Sequence, residues 1–286
     1  MSILSSVKHL VRQVLEQSTQ AIGTTKVGRI VFEQMVNQAM ERTQLVTHQG
    51  LEMRFAVPNQ LNHFRITTFA TKEPETLEWI DSLPENSLLW DIGTNVGLYT
   101  VYAALKRKSR VVAFEPSVFN LELLARNLYL NHLQDRVTLL PIALSDQMGS
   151  NTLRMSSTEW GGALSTFGKD IGWDGQPMRE IFAFPTYGLS LDQAVEVLEL
   201  DYPDYIKMDV DGIEHFLLQG GPEVLKQIKG ILIEINDDFE EQAGLAKKLL
   251  EDSGLKLLEK RHSDMVGQST SGFANTFNQI WSRPSE

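Results

Sequence analysis

The sequence predicts an α/β fold: a doubly wound parallel sheet with helices on both faces, preceded by a helical N-terminal extension. Three observations predict it. From about residue 75, short apolar segments alternate with segments of helical period, the pattern of strands joined by crossover helices. Within that run, "LLWDIGTNVGLYTVYAAL" (88–105) passes from an apolar strand through an acid and two glycines into a helix; in such a sheet this corner faces the ligand crevice. The 286 residues, 42% hydrophobic and 22% charged, suffice for one large core and a smaller appendage.

In chain order, Ile3, Leu4, Val7, Leu10, Val11, Val14 and Leu15 recur at helical spacing and predict an amphipathic helix over 3–16. A second helix follows at about 25–42. The two helices read as packing against the main domain or against a second copy of the chain, which would give a homo-oligomer. Docking on a membrane surface is the alternative, although Lys8 and Arg12 are few for anionic lipid. "GLEMRFAVPN" alternates Leu51, Met53, Phe55 and Val57 and ends at Pro58, a half-buried strand.

A helix at about 74–82 then leads into the strand "LLWDIG", a helix at about 97–107, the strand "RVVAFEP", the helix "SVFNLELLARNLYLNH" and the strand "RVTLLPIALSD". Residues 147–190, rich in Gly, Ser and Thr, read as a hairpin and loop insertion. The alternation resumes with a helix near 190–198, the strand "DYIKMDV", the helix "IEHFLLQGGPEVLKQI", the strand "GILIEIN", a helix at about 238–252, and closing strands near 255–261 and 276–282. Residues 1–60 are thus expected to form a helical extension with a strand, and 61–286 the main domain.

The formal net charge of −11 argues against a nucleic-acid partner, because phosphate binding needs a surplus of Lys and Arg. There is no cysteine, which removes disulfides, thiolate nucleophiles and Cys-based zinc sites. No apolar run reaches the roughly 18–20 residues that span a bilayer, and the N-terminus is too interrupted by charge for a signal peptide. A cytoplasmic protein is the expectation.

At the 91–97 corner, Gly93 and Gly97 let the backbone approach a ligand, and Asn95 tolerates the left-handed conformation. The G-x-G-x-x-G that a dinucleotide pyrophosphate wants is absent. Asp91 instead suits a cation, and S-adenosylmethionine carries both a sulfonium and an α-ammonium. Glu115, followed by Pro116, closes the next strand, where a carboxylate can accept both hydroxyls of an adenosine ribose. After the third strand, "PIALSD" would bring the backbone of Ala143 and Leu144 and the side chain of Asp146 near an adenine edge; Asp146 as a simple turn residue is the competing reading.

Together "DIGTNVGLYT", "AFEPSVFNLELLARNLYLN", "PIALSD" and "IKMDVDGIEHFLLQGG" resemble the FkbM-type branch of class I S-adenosylmethionine-dependent methyltransferases, over about residues 74–282. Thr94 stands where that family has Ala in D-x-G-A-N-x-G, and Asp211 where it has the middle Glu of D-V-E-G-x-E. The resemblance implies a seven-strand Rossmann-like sheet with its last strand antiparallel. It also implies methyl transfer to hydroxyls, commonly of sugars or natural products.

A hydroxyl is a poor nucleophile, so a positioned base or a metal is expected. Lys207 and Asp209, two apart on one strand, share a face. We read Asp209 as the base or acceptor-orienting group, with Lys207 tuning it and Glu214 assisting, against a purely structural Lys–Asp pair. His215 is the alternative base and a candidate acceptor contact. Asp209, Glu234 and Asp237 at adjacent strand ends could hold Mg²⁺ through oxygen ligands. Trp160, Trp173 and Tyr187 in the insertion offer flat faces to a sugar ring, or else form the core of a local hairpin.

The expected activity is therefore O-methylation of a sugar, glycan or glycosylated natural product. The alternatives are a lipid, small-molecule or protein acceptor, or a binding protein without catalysis. A nucleic-acid methyltransferase would show an N/D-P-P-Y-like corner after the fourth strand; this chain has "DVDG".

Overall fold

The computed structural model describes residues 13–14, 17–262 and 272–284. The helix expected over 3–16 lies almost wholly outside them. Helix α1 (Lys26–Glu41) starts where the Thr25 hydroxyl accepts the Gly28 amide at 2.9 Å, an N-cap of ordinary kind. Gly28 is its one buried residue; a Cβ there would stand 1.8 Å from the Ile22 carbonyl oxygen. Val27, Ile30, Val31 and Met35 are exposed.

Strand β1 (Thr43–His48) pairs antiparallel with β2 (Leu51–Ala56). Gln49 and Gly50 between them both have positive φ, which matches the twist of a two-residue hairpin. The sequence predicted β2 but not β1, whose apolar Leu45 faces solvent and so breaks the alternation that marks a half-buried strand. Met53 and Phe55 of β2 have no exposed surface and join the core of the main sheet.

Two short helices that periodicity did not show follow, α2 (Gln60–Thr67) and α3 (Phe69–Lys72). At eight and four residues they fall below the length at which a helix holds itself in water; burial of Ile66 and Phe69 fixes them. Helix α4 (Pro74–Ser82) opens on proline at its first turn.

The main sheet uses β3 (Leu88–Ile92), β4 (Arg110–Phe114), β5 (Val137–Leu140), β10 (Tyr205–Met208), β11 (Gly230–Asn236), β12 (Lys256–Arg261) and β13 (Thr276–Ser282). Their order is β12-β13-β11-β10-β3-β4-β5. Strands β3, β4, β5, β10 and β11 are parallel, and β13 runs antiparallel to β11. This is the seven-strand sheet with an antiparallel last strand. Crossovers are made by α5 (Leu98–Lys106), α6 (Val118–Leu130), α7 (Leu191–Leu198) and the pair α8 (Glu214–Gln219) and α9 (Pro222–Gln227), and α10 (Glu240–Asp252) leads to the closing strands. Successive strand residues bury on opposite faces: Trp90, Ile92, Phe114, Met208 and Ile233 on one, Leu89, Val111, Ala113 and Leu232 on the other. Near-continuous apolar strands are what burial on both faces requires.

Two predicted elements are split. "RVTLLPIALSD" stays in the main sheet only to Leu140, since Pro141 has no amide to donate. Ala143–Leu144 (β6) leaves to pair with β9 (Phe182–Leu189). With β7 (Gly149–Met155) and β8 (Ser165–Phe167) they make a second sheet, ordered β6-β9-β7-β8, so the insertion is more than a hairpin. "IEHFLLQGGPEVLKQI" breaks at Gly220–Gly221, and Pro222 begins α9.

Candidate active site

From β3 the chain winds outward through β4 and β5, then returns to lay β10 against the other side of β3. The corners after β3 and β10 therefore meet at the switch point, where open α/β sheets bind ligands. Their contact is intimate: Gly93 has φ +79°, and a Cβ on it would stand 1.8 Å from the Asp209 carbonyl oxygen. Asn95 is left-handed at φ +51°. That turn aims the Asn95 amide at Glu115, whose carboxylate accepts it at 2.8 Å and the Ser117 amide at 2.8 Å. Burial nevertheless outweighs these bonds and pushes the Glu115 carboxyl up to about 7.

Gly93, Asn95, Glu115, Pro116, Ala143 and Asp209 line one crevice, with Phe114, Ile142, Leu144 and Phe167 as its apolar walls. A carboxylate beside an apolar slot suits a nucleoside. A second, larger cavity of about 590 Å³ adjoins it, lined among others by Arg65, Lys72, Glu73, Asn95, Asp209, Asp211 and Glu234. Gly93, Asn95, Asp209 and Asp211 border both spaces.

Asp91 lies beneath the corner rather than at its mouth, and is 1% exposed. Its carboxylate accepts Thr100 Oγ1 at 2.5 Å and stands 3.9 Å from Lys207 Nζ, so it braces the lysine and lines neither space. Burial raises its pKa against the pull of Lys207 and Thr100. The Lys207 ammonium lies 3.3 Å from Asp209 Oδ2. Burial works against that charge, but Asp209, Asp91 and Glu73 outweigh it and hold the lysine protonated. The Asp209 side chain keeps 30% of its surface, which leaves it available to a ligand.

Other predicted residues go elsewhere. Gly97 starts α5 at φ +81° and packs against Leu124. Asp146 accepts Ser145 Oγ at 2.9 Å and Lys169 Nζ at 3.2 Å and does not line the crevice. Glu214, 1% exposed, accepts the amides of Val210 at 2.9 Å and Gly212 at 3.1 Å; it ties the corner together from below. Burial pushes its carboxyl up to about 7. His215 has no exposed surface and lies between Phe216 and Phe239, at ring distances of 4.0 and 5.5 Å. Trp173 backs the Gly212 turn. Tyr187 is 72% exposed. Helical and strand period gave each of these a position but not a direction.

The Mg²⁺ set is not assembled. Asp237 pairs with Lys260 while Glu234 lines the large cavity. Among the described residues no group of three or more His, Asp or Glu is placed to hold a metal. Asp209 and Glu234 face the same cavity, and it is Asp237, in the turn after β11, that leaves the set.

Sequence reasoning missed the contribution of α2 and α3. Arg65, Lys72 and Glu73 reach the site from this segment. Burial opposes ionisation of Glu73, yet Lys72 and Lys207 pull its carboxyl down to about 2. "KEPE" before a helix was the available signal, and nothing in it tells which way the charges point.

Trp160 belongs to a strap, residues 160–165, that lies over both spaces. Asn59 and Asn62 donate to the Trp160 carbonyl at 2.9 and 2.7 Å. Asn95 and Asn120 donate to that of Gly162 at 2.8 and 3.1 Å. Asp211 accepts the amides of Leu164 at 2.8 Å and Ser165 at 3.2 Å. Burial and the nearby Asp209 charge push the Asp211 carboxyl up to about 6. Beneath the strap about 60 Å³ of the crevice is free, well below the roughly 300–1,000 Å³ of small-molecule sites.

Residues 91–265 match the methyltransferase FkbM domain. The hexuronic acid methyltransferase AglP of Haloferax volcanii is 25% identical over 193 residues, covering 65% of this chain and 72% of that protein. Methyltransferase sdnD of Sordaria araneosa is 38% identical over 74 residues, 25% of this chain and 28% of that one. Among solved structures, TYW2 of M. jannaschii in complex with AdoMet aligns at TM-score 0.44 and 15% identity, covering 85% of this chain and 88% of that one. No helix among the described residues is long and apolar enough to cross a membrane. The domain match takes in more than half of the chain, including both corners of the switch point: the protein belongs to the FkbM family of S-adenosylmethionine-dependent methyltransferases.

Proposed function

We propose that the protein methylates a hydroxyl of a sugar, glycan or glycosylated natural product. The observation that carries this reading is the position of Asp209 on the border between the Glu115 crevice, with its apolar walls, and the 590 Å³ cavity. Glu115 would accept the ribose hydroxyls, with the Ala143 backbone and the apolar wall at the adenine. The bound cofactor supplies a methyl group on a sulfonium, transferred by in-line displacement. The chain supplies alignment, which can account for much of such a rate, and a carboxylate at Asp209 to take the acceptor's proton. Lys207 keeps Asp209 oriented, and the strap over both spaces would exclude water from the ligands.

A sugar acid as the acceptor of AglP supports a carbohydrate acceptor for its relative here. In this reading residues 61–286 form the catalytic domain, and 1–60 an extension that lends Met53 and Phe55 to its core. Calorimetry with S-adenosylmethionine, followed by release of S-adenosylhomocysteine across a panel of sugars, lipids and peptides, tests the reading. Turnover with sugars alone supports it. Binding without turnover, or turnover only with lipids or peptides, removes it.

A further inference from the structure

We propose that Arg65 is an anion-binding residue of the large cavity and takes a carboxylate of the bound ligand. Arg65 projects from α2, outside the segment matched to the family, and lines the 590 Å³ cavity. Its Nε and Nη2 both donate to one acceptor, the Gly161 carbonyl, at 3.0 and 2.7 Å. Among the described residues no carboxylate forms an ion pair with it; Asp209, Asp211 and Glu73 act on it only from farther away. A guanidinium has five donors in a planar fork suited to bidentate carboxylate binding. Two of them are used on a neutral oxygen.

The other cations at this site are already matched, Lys72 by Glu73 and Lys207 by Asp209. The acids are likewise engaged: Asp211 holds two strap amides, and burial together with the Asp209 charge drives Glu234 toward its neutral form. Arg65 is therefore the cation whose charge an arriving anion would complete. Burial already disfavours that charge, and a carboxylate would offset the cost.

This inference rests on the methyltransferase reading. Two ligands could bring the carboxylate: an acidic sugar acceptor, or the amino-acid tail of the cofactor. Calorimetry on the full chain separates them, with Arg65→Gln and Arg65→Lys and four probes. These are S-adenosylmethionine, 5′-methylthioadenosine (the same nucleoside without the tail), D-glucuronate and D-glucose. Heat from wild-type protein with S-adenosylmethionine tests the underlying reading on its own.

We expect Arg65→Gln to weaken glucuronate at least about tenfold, to leave D-glucose and 5′-methylthioadenosine within about twofold, and Arg65→Lys to recover part of the loss. A tenfold loss for S-adenosylmethionine with 5′-methylthioadenosine unchanged assigns the carboxylate to the cofactor instead, and still supports the anion site. If neither S-adenosylmethionine nor glucuronate affinity moves, the proposal is overturned. It is also overturned if 5′-methylthioadenosine falls in step, because Arg65 then acts only by pinning the strap.

Discussion

Gly93 and Asp209 touch through their backbones: the space a Gly93 side chain would fill is held by the Asp209 carbonyl oxygen, 1.8 Å from the Cβ position. This contact sets the separation of the two corners and hence the position of the Asp209 carboxylate. Gly93→Ala should combine left-handed strain, about 1–3 kcal/mol, with overpacking of about 1–3 kcal/mol. A loss of about 3 kcal/mol or more in denaturant unfolding is expected, along with loss of cofactor binding. A variant as stable as the parent would show that the corners can part freely.

Asp209→Asn keeps the size of the side chain and removes the proton acceptor. Turnover should fall by about 10²–10⁴, while calorimetric affinity for S-adenosylmethionine changes little. Because Lys207 would lose its closest carboxylate, a modest drop in thermal stability should accompany it. Full turnover would take Asp209 out of the mechanism.

Glu115 gives a pH dependence of defined sign. Its carboxyl is raised from 4.5 to about 7 in the folded chain. The folded state then holds a proton that the unfolded chain has released, so the stability from this group is present below about 4.5 and lost as pH rises through about 7. Cofactor binding has the opposite slope, since the ionised form accepts ribose hydroxyls. Affinity should climb between pH 6 and 8, and Glu115→Gln should flatten the climb and weaken binding at pH 8. Titrations at several pH values, parent against variant, provide the check.

His215 is expected to matter for acid stability and not for chemistry. Among the described residues neither ring nitrogen has a hydrogen-bond partner, and burial, with Lys169 nearby, lowers its pKa from 6.5 to about 4. An unfolded histidine protonates first, so stability is lost as pH falls from about 6.5 toward 4. Replacement by Leu should reduce the difference in denaturation midpoint between pH 7 and pH 5, with turnover at pH 7.5 retained. A turnover loss of tenfold or more would restore His215 as a base.

The alternation of apolar strands and helical segments was enough to determine the parallel sheet, and the glycine-bearing strand end at 91–97 was enough to mark the corner that meets the one after β10. Both are local properties: period reports which face is buried, and a glycine at a strand end reports a backbone that must pass close to something. Tertiary structure alone decided where the charges point. It turned Asp91 under the corner onto Thr100 and Lys207, buried Glu214 and His215, and swung Arg65 into the cavity from a helix too short to announce itself. The physical reason is that a polar group's partner is chosen by its neighbours in space. Those neighbours come from segments as far apart as residues 65 and 161 or 91 and 207, a separation that no local pattern encodes.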